Sequence, residues 1–301
     1  MVNTSGEETH SNARPKVGVV VSSGGIKSIS SIALFEFLEE AGIEVDLLVA
    51  CSAGSIFSGW WATCRDAAYV RENVESIWTR ESFARRDYRT LLSIAGLPFG
   101  RFDQSRGLLK PHVVQEACVR MYGDQKMEEL SIRTIFQATD LLSGEPVVLT
   151  TGLLRETVYA SSALFPIFPA IRIDDRWLID GVYSAPLPIM QAVMEGMDVI
   201  IAMTNEEVTQ KESKGFIPYF MRCIQYSTNW LQRNQTALSI DVHHHEIVFI
   251  DVVFDRFIGL RATHRIPEIL KAGETAVEEK KAEIMKAIEN YAFTNNPPSA
   301  E

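Results

Sequence analysis

The sequence predicts an α/β fold, namely a three-layer α/β/α sandwich in which helices cover both faces of a mostly parallel central sheet. Val17 to Val21 is a valine-rich apolar run, which is typical of a strand buried on both faces. Apolar residues at helical spacing follow over 29–41 and end at Gly42, and a second buried strand spans Val45 to Cys51. Strands that alternate with helices favour a parallel sheet joined by crossover connections.

The same alternation continues through the rest of the chain. A second helix is predicted from Ala53 to Thr63, directly after the second strand. Further strands are predicted at 132–139, 146–150, 198–203 and 246–252, and further helices at 107–122, 186–195, 216–233 and 266–290. No proline- and glycine-rich linker divides these elements, so we expect one domain over residues 16–292, between disordered tails at 1–15 and 293–301.

Composition narrows the classes of function. The 301 residues include 29 Lys and Arg against 39 Asp and Glu, a net charge of −10, which argues against a general nucleic-acid binder because that role needs a basic surface. The four cysteines show neither a C-x-x-C spacing nor a dense pattern, so neither a disulfide framework nor a zinc site is predicted. The polar N-terminal segment is unlike a signal peptide, and we expect a cytoplasmic protein with no cofactor and no bound metal.

A candidate nucleophile follows the second strand. The turn reads Ala50-Cys51-Ser52-Ala53-Gly54, a strand-to-helix junction that would expose the Ser52 hydroxyl while its small neighbours let strand and helix approach closely. The turn matches the G-x-S-x-G pattern of nucleophile elbows, except that Ala50 replaces the first glycine. The alternative interpretation of these five residues alone is an ordinary serine N-cap of a helix.

Two further segments supply complementary chemistry. Residues 22–28 form a turn between a strand and a helix, where Gly24 and Gly25 let backbone N–H groups face outward toward a phosphate or a developing oxyanion. Neither glycine pattern of phosphate-binding loops is present, which leaves an oxyanion hole or a plain tight turn. The apolar run Trp177 to Ile179 delivers Asp180 directly before a glycine, where a carboxylate would orient or deprotonate a serine, or would simply form a turn.

Together, the three segments resemble the patatin-like phospholipase family, in particular its bacterial single-domain members. In order along the chain, Ser23 to Ser28, Ala50 to Gly54 and Asp180 to Val182 occupy the places of the family's G-G-G-x-[RK]-G, G-x-S-x-G and D-G-[GA] motifs. The resemblance covers about residues 16–290 and includes the segment Ala160-Ser161-Ser162-Ala163, which is similar to the family's A-S-x-A segment ahead of the aspartate.

The resemblance implies a serine lipid acyl hydrolase of the phospholipase, lysophospholipase or esterase type that works without a histidine. Ser52 would attack an acyl carbonyl and Asp180 would take its proton, provided that burial raises the pKa of the aspartate above its usual value of about 3.9. Water would then hydrolyse the acyl-enzyme. The oxyanion would be met by the backbone N–H groups of Gly24, Gly25, Ile26 and Ala53.

Departures from the family pattern keep other functions open. Ser23 and Ser28 replace glycines of the loop, and Val182 stands where glycine or alanine is usual, which leaves room for a catalytically weakened, lipid-binding regulatory protein. An acyltransferase would use the same serine with an alcohol or thiol in place of water. A Ser-Asp-His triad would need a histidine such as His264, and the run His243-His244-His245 would place two imidazoles on one face of a strand, without a third metal ligand at a readable spacing.

The segment 80–110 departs from the acidic average of the chain. It holds seven basic residues against three acidic ones, together with several aromatic side chains and a glycine–proline breaker. It is predicted either as a lid that contacts anionic lipid headgroups at a membrane surface or as a solvated surface. Lys27, Phe99 and Phe102 are predicted to contact the lipid or acyl ester substrate. The apolar face of 216–230 is expected to be part of the core or a homodimer interface.

Overall fold

A computed structural model describes residues 14–208, 215–242 and 246–295 of the chain. Among these residues, the strands are β1 (Val17–Val21), β2 (Leu47–Cys51), β3 (Arg133–Asp140), β4 (Pro146–Leu149), β5 (Ile171–Ile173), β6 (Arg176–Asp180), β7 (Val199–Glu207) and β8 (Glu246–Phe254). The helices are α1 (Ser31–Glu40), α2 (Ala53–Cys64), α3 (Ala67–Ile77), α4 (Tyr88–Ile94), α5 (His112–Tyr122), α6 (Leu154–Ser162), α7 (Ile189–Met194), α8 (Phe216–Val242) and α9 (Ile266–Asn295).

The eight strands form one mixed sheet in the order β5-β6-β3-β2-β1-β7-β8, with β4 paired to β3 off this path. The five strands from β3 to β8 in this order are parallel, whereas β4, β5 and β6 pair in antiparallel fashion. The predicted α/β fold with a mostly parallel central sheet is confirmed. The carboxyl ends of its parallel strands meet at one edge, where such folds place their reactive groups.

The register around β3 brings two distant parts of the chain together. β2 pairs with residues 133–137 of β3, β4 with 136–139, and β6 with 138–140. Residues 136 and 137 of β3 pair with both β2 and β4, and residues 138 and 139 pair with both β4 and β6. A strand residue has one partner strand on each side, so β4 lies on one side of β3, and β2 and β6 follow one another along the other side. The carboxyl end of β2 therefore meets the carboxyl end of β6.

Apolar side chains fill both faces of the sheet. Val19 and Val21 of β1 point into a large cluster built with α1, α2, α5, α6 and α9, whereas Val20 points into a smaller cluster with Ile189 and Ala192 of α7. This alternation follows from the twofold period of a strand. The sheet is thus covered by helices on both sides, as the three-layer prediction requires.

Proline accounts for the shifted starts of two helices. α5 begins after Pro111 rather than at 107, and α7 begins after Pro188 rather than at 186, in keeping with the preference for proline at or before the first helical turn. α9 continues to Asn295, beyond the expected domain end at 292. The rest of the predicted tails, 1–13 and 296–301, lies outside the described residues. Within the described ranges, no helix is both long and apolar enough to cross a bilayer.

Candidate active site

The turn between β2 and α2 holds Ser52 in a conformation that few side chains adopt. Its φ is 56° and its ψ is −133°, a region in which residues other than glycine are strained. Gly54 permits the close approach of helix and strand, because a Cβ at its position would lie 2.6 Å from the carbonyl oxygen of Ser22. The turn has the sharp geometry that the G-x-S-x-G pattern predicts, and the Ser52 hydroxyl does not cap α2.

β6 places Asp180 beside this serine. Cys51 lies opposite Gln137 of β3, and Asp180 lies opposite the next residue, Ala138. The hydroxyl of Ser52 donates to Oδ2 of Asp180 at 2.7 Å. The two residues that the sequence analysis selected, 128 positions apart in the chain, therefore form a direct hydrogen bond.

The environment of Asp180 suits a proton acceptor that works near neutral pH. The residue is 1% exposed, and burial raises the pKa of its carboxyl to about 7, because the charged form loses hydration. Hydrogen bonds from the Ser52 hydroxyl and from the backbone N–H of Val182, which reaches Oδ1 at 2.9 Å, act in the opposite direction and lower the pKa. A carboxyl with this pKa is a far stronger base than an exposed aspartate.

Two small groups allow β2 and β6 to meet. A Cβ on Gly181 would lie 2.3 Å from the carbonyl oxygen of Gln137 and 2.9 Å from Sγ of Cys51, so the position after Asp180 has no room for a side chain. Cys51 is fully buried, and burial raises the pKa of its thiol well above the usual range. It acts as a small apolar filler, as the sequence analysis expected.

Ser161 on α6 braces the strained turn. Its hydroxyl accepts a hydrogen bond from the backbone N–H of Ser52 at 3.1 Å and donates one to the carbonyl of Gln137 at 2.7 Å. The elbow is thereby tied to β3. In the sequence, the segment 160–163 stands out only by its resemblance to the family, and nothing in it indicates this role for Ser161.

The glycine-containing loop after β1 presents backbone donors. The N–H of Ser22 is bonded to the carbonyl of Met203 at 3.0 Å, which anchors the loop to β7. A short 3₁₀ helix then begins at Gly25, whose φ of +57° lies in the left-handed region. The first N–H groups of a helix have no acceptor inside it, so those of Gly25 and Ile26, and that of Ala53 at the start of α2, are not used within their own helices.

Ser52 and Asp180 open into a cavity of about 810 Å³. Gly24, Gly25 and Ala53 also line it, whereas the side chain of Ile26 is buried in the core. Most of the remaining wall is apolar and includes Ile77, Trp78, Phe83, Leu108, Met121 and Phe168. The volume lies within the range of about 300–1,000 Å³ that is typical of small-ligand sites, and the wall suits a hydrocarbon chain.

One end of the cavity, beside the glycine loop, is polar. Nζ of Lys27 lies 3.2 Å from Oε2 of Glu207, with both side chains about 95% buried, and burial lowers the pKa of Lys27 against the opposing effect of Glu207. The positive charge of Lys27, which the sequence predicts to contact the substrate, is thus balanced by the carboxylate of Glu207. Nδ2 of Asn205 has no partner among the described residues, and a Cβ on Gly24 would lie 2.8 Å from it. Asn205 therefore holds a spare donor next to the loop.

A family model described as a patatin-like phospholipase matches residues 19–193. The chain belongs to the patatin-like phospholipase family. The matched range contains the loop after β1, the Ser52 turn and Asp180, and it ends before α8, β8 and α9. The resemblance inferred from the three motifs is thereby confirmed.

Curated relatives of this patatin-like chain include fungal lysophospholipases. Lysophospholipase NTE1 of Yarrowia lipolytica is 25% identical over 187 residues, which make up 62% of this chain and 12% of that protein. NTE1 of Debaryomyces hansenii is 28% identical over 194 residues, with the same coverage of both chains. The chain thus matches only a small part of the length of these relatives. Among solved structures, VipD from Legionella pneumophila aligns with 92% of this chain and 67% of its own, at a TM-score of 0.47 and 11% identity.

Two departures from the patatin-like pattern differ in their place: Val182 lines the cavity, whereas Ser28 is buried behind the glycine loop. The backbone N–H of Val182 still holds Asp180. Oγ of Ser28 is buried without a partner among the described residues and would lie 2.8 Å from a Cβ on Gly24. Both departures alter the surroundings of the patatin-like site and leave the hydrogen bond between Ser52 and Asp180 in place.

Other residues singled out from the sequence are not part of the cavity wall. Phe99 is 92% exposed, and Phe102 packs against Phe165 at a ring distance of 5.7 Å; neither lines the cavity, so the structure does not bring these predicted substrate contacts to it. His264 is exposed in the turn before α9 and does not line the cavity. The run 243–245 lies outside the described residues.

Proposed function

We propose that the protein is a serine acyl hydrolase that cleaves single-chain lipid esters with Ser52 as nucleophile and Asp180 as general base. The observation that carries the proposal is the 2.7 Å hydrogen bond between the two side chains at the wall of an apolar cavity. The strained backbone of Ser52 and the raised pKa of Asp180 support it, because both are features of an activated nucleophile and its base.

In the first half of the reaction, Oγ of Ser52 attacks the ester carbonyl carbon while its proton passes to Oδ2 of Asp180. The oxygen of the carbonyl becomes an oxyanion, which the N–H groups of Gly24, Gly25, Ile26 and Ala53 stabilise. Collapse of the tetrahedral intermediate breaks the bond to the leaving alcohol, and that alcohol takes the proton from Asp180. The product that stays behind is an ester of Ser52 with the fatty acid.

In the second half, water attacks the acyl-enzyme. Asp180 takes one proton from the water, a second tetrahedral intermediate forms, and its collapse returns the proton to Oγ of Ser52 and releases the fatty acid. No histidine takes part in these steps. The same residue serves as base in both halves because each half begins with deprotonation of the attacking hydroxyl.

The apolar wall and the curated relatives favour a lipid with one acyl chain as substrate. The cavity of about 810 Å³ is lined mainly by aliphatic and aromatic side chains, and the relatives are named lysophospholipases. A lysophosphatidylcholine therefore suits as the first substrate to assay. Release of free fatty acid identifies water as the acyl acceptor, whereas transfer to an added alcohol would identify an acyltransferase.

Fluorophosphonate labelling tests the nucleophile. The probe should modify the peptide that contains Ser52, and Ser52→Ala should lose both the label and the hydrolysis of lysophosphatidylcholine. Ser58→Ala is the matched control. Ser58 is a buried serine within α2, and its hydroxyl has no partner among the described residues, so this variant should keep the label. Labelling that persists in Ser52→Ala would refute the assignment.

A further inference from the structure

A cluster of apolar side chains is exposed at the end of α4 and in the turn that follows. Ile94 is 69% exposed, Leu97 52%, Phe99 92% and Phe102 44%. We call these four residues the entrance patch. Large apolar side chains that are exposed singly are common on soluble proteins, but four within nine positions form a patch of the kind that marks an interaction surface.

Backbone hydrogen bonds hold this turn in a fixed shape. The N–H of Leu97 is bonded to the carbonyl of Leu92 at 2.9 Å, and the N–H of Arg101 is bonded to the carbonyl of Arg89 at 3.0 Å. A Cβ on Gly100 would lie 2.4 Å from the backbone nitrogen of Ser93, so the turn packs tightly against α4. Leu97 and the exposed residues after it therefore lie in a turn of defined conformation.

The backbone at the tip of the turn is strained. Phe99 has a φ of 65°, which is rare for a bulky residue. Such conformations persist where the surrounding structure enforces them, and they cluster at functional positions. Here the strain holds an aromatic ring almost entirely in solvent, where it gains nothing from the core of the protein.

The entrance patch adjoins the opening of the cavity. Leu91 and Ile94 of α4 line the cavity, and Ile94 is at the same time largely exposed. Arg86 is also both exposed and part of the lining. A lipid that leaves a bilayer at this surface would therefore reach the cavity without crossing open water.

Basic side chains lie in the same segment. Arg86, Arg89 and Lys110 are exposed, and their side chains form no ion pair or hydrogen bond with the described part of the chain. The carboxylates of the segment are already engaged, since Glu81, Asp87 and Asp103 pair with other arginines. The segment 80–110 thus presents unbalanced positive charge in a chain whose net charge is −10.

We propose that the entrance patch inserts into the interface of an anionic lipid bilayer, with Arg86, Arg89 and Lys110 on the lipid headgroups. Exposed apolar side chains and exposed cations in one segment match a surface that has an anionic outer layer and a hydrocarbon interior. A symmetric contact between two copies of this face would bring its arginines against one another, which disfavours a second chain as the occupant. The proposal concerns binding and holds whether or not Ser52 is the nucleophile.

Vesicle co-sedimentation of the full chain carrying Ser52→Ala tests the proposal, because this variant lacks the proposed nucleophile, and thin-layer chromatography of the vesicles afterwards checks that the lipids are intact. The parent should bind mixed vesicles of phosphatidylcholine and phosphatidylglycerol more tightly than pure phosphatidylcholine vesicles, and added salt should weaken the difference. Leu97→Ser combined with Phe99→Ser should lower the partition coefficient at least about tenfold on both kinds of vesicle. Arg86→Gln combined with Arg89→Gln should lower it roughly fivefold per charge on the mixed vesicles only.

Leu142→Ser is the matched control, because Leu142 is 77% exposed in the connection between β3 and β4. It should bind vesicles like the parent, and equal melting temperatures of all variants establish that they are folded. Unchanged binding after the paired Leu97 and Phe99 substitutions would overturn the proposal. A parent dimer that these substitutions dissociate, with no vesicle binding, would equally overturn it and assign the patch to a subunit interface.

Discussion

Replacing Asp180 with asparagine should make the protein more stable and far less active. The amide has nearly the shape of the carboxylate: its Oδ1 still accepts the N–H of Val182, and its Nδ2 donates to the hydroxyl of Ser52, so both hydrogen bonds survive with one reversed in direction. What disappears is the charge. The free energy of unfolding should therefore change through the ionisation of this carboxyl rather than through packing.

The size of the effect follows from the pKa of Asp180, which is about 7 in the folded protein and about 3.9 in an unfolded chain. Because the folded pKa is the higher one, the folded state keeps the proton longer. The contribution of Asp180 to stability is complete below pH 4 and is lost as the pH rises to about 7. The three-unit difference corresponds to a loss of about 4 kcal/mol of stability above pH 7, and of about 1–2 kcal/mol at pH 5.

Thermal unfolding between pH 4 and pH 8 measures this effect. Asp180→Asn should melt at nearly the wild-type temperature at pH 4 and roughly 5–10 °C higher at pH 8, while turnover above pH 7, where the wild-type carboxyl is ionised, falls at least about a hundredfold because the base is gone. Asp140→Asn is a control for which the change in melting temperature should have the opposite sign at high pH, since backbone hydrogen bonds lower the pKa of that carboxyl. A difference in melting temperature that does not vary with pH would refute the reasoning, because a buried charge must produce this dependence.

Two further outcomes follow from the same site. The logarithm of kcat/KM for a soluble short-chain ester should rise with unit slope at acidic pH and level off above about pH 7, because Asp180 acts in its ionised form; a profile that is flat down to pH 5 would exclude it as the base. Gly25→Val should lower kcat about 10²- to 10³-fold with a smaller change in KM, because its Cβ would lie 2.8 Å from Cδ2 of Leu260 at a φ of +57°. Gly42→Val is the matched control, since φ is +65° there and nothing lies within 4 Å of its Cβ; normal turnover per folded Gly25→Val molecule would leave the loop as a plain turn.

Uniform apolar runs made the central sheet predictable. β1 and β2 are entirely buried and apolar, the first five residues of β7 are buried and apolar, and β8 is an apolar-rich strand at the edge of the sheet; such runs have few alternative structures. α3, α4 and α6 were not predicted. α3 carries several charged residues, α4 has only seven residues, and α6 has a mixed polar composition, so neither apolar periodicity nor length distinguishes them from loops.

The candidate site was predictable where a motif reflects close packing. Gly54 and Gly181 are positions where a Cβ would collide with backbone, and this is the reason that glycine marks the ends of the two motifs. The partners of Lys27 could not be found in this way. Glu207 lies 180 positions away at the end of β7, which extends four residues beyond its predicted end at 203, and no spacing in the sequence connects the two.

The glycines, Ser52 and Asp180 form one physical arrangement. Ser52 is strained at its backbone and Asp180 is buried with a carboxyl that ionises only near pH 7, so each residue lowers the stability of the fold. Gly54 and Gly181 let α2, β2 and β6 pack closely enough to hold both residues in place, and Ser161 ties the strained turn to β3. Removing the charge should therefore relax a fold that remains intact, whereas a side chain at either glycine should separate the hydroxyl from the carboxylate that is to take its proton.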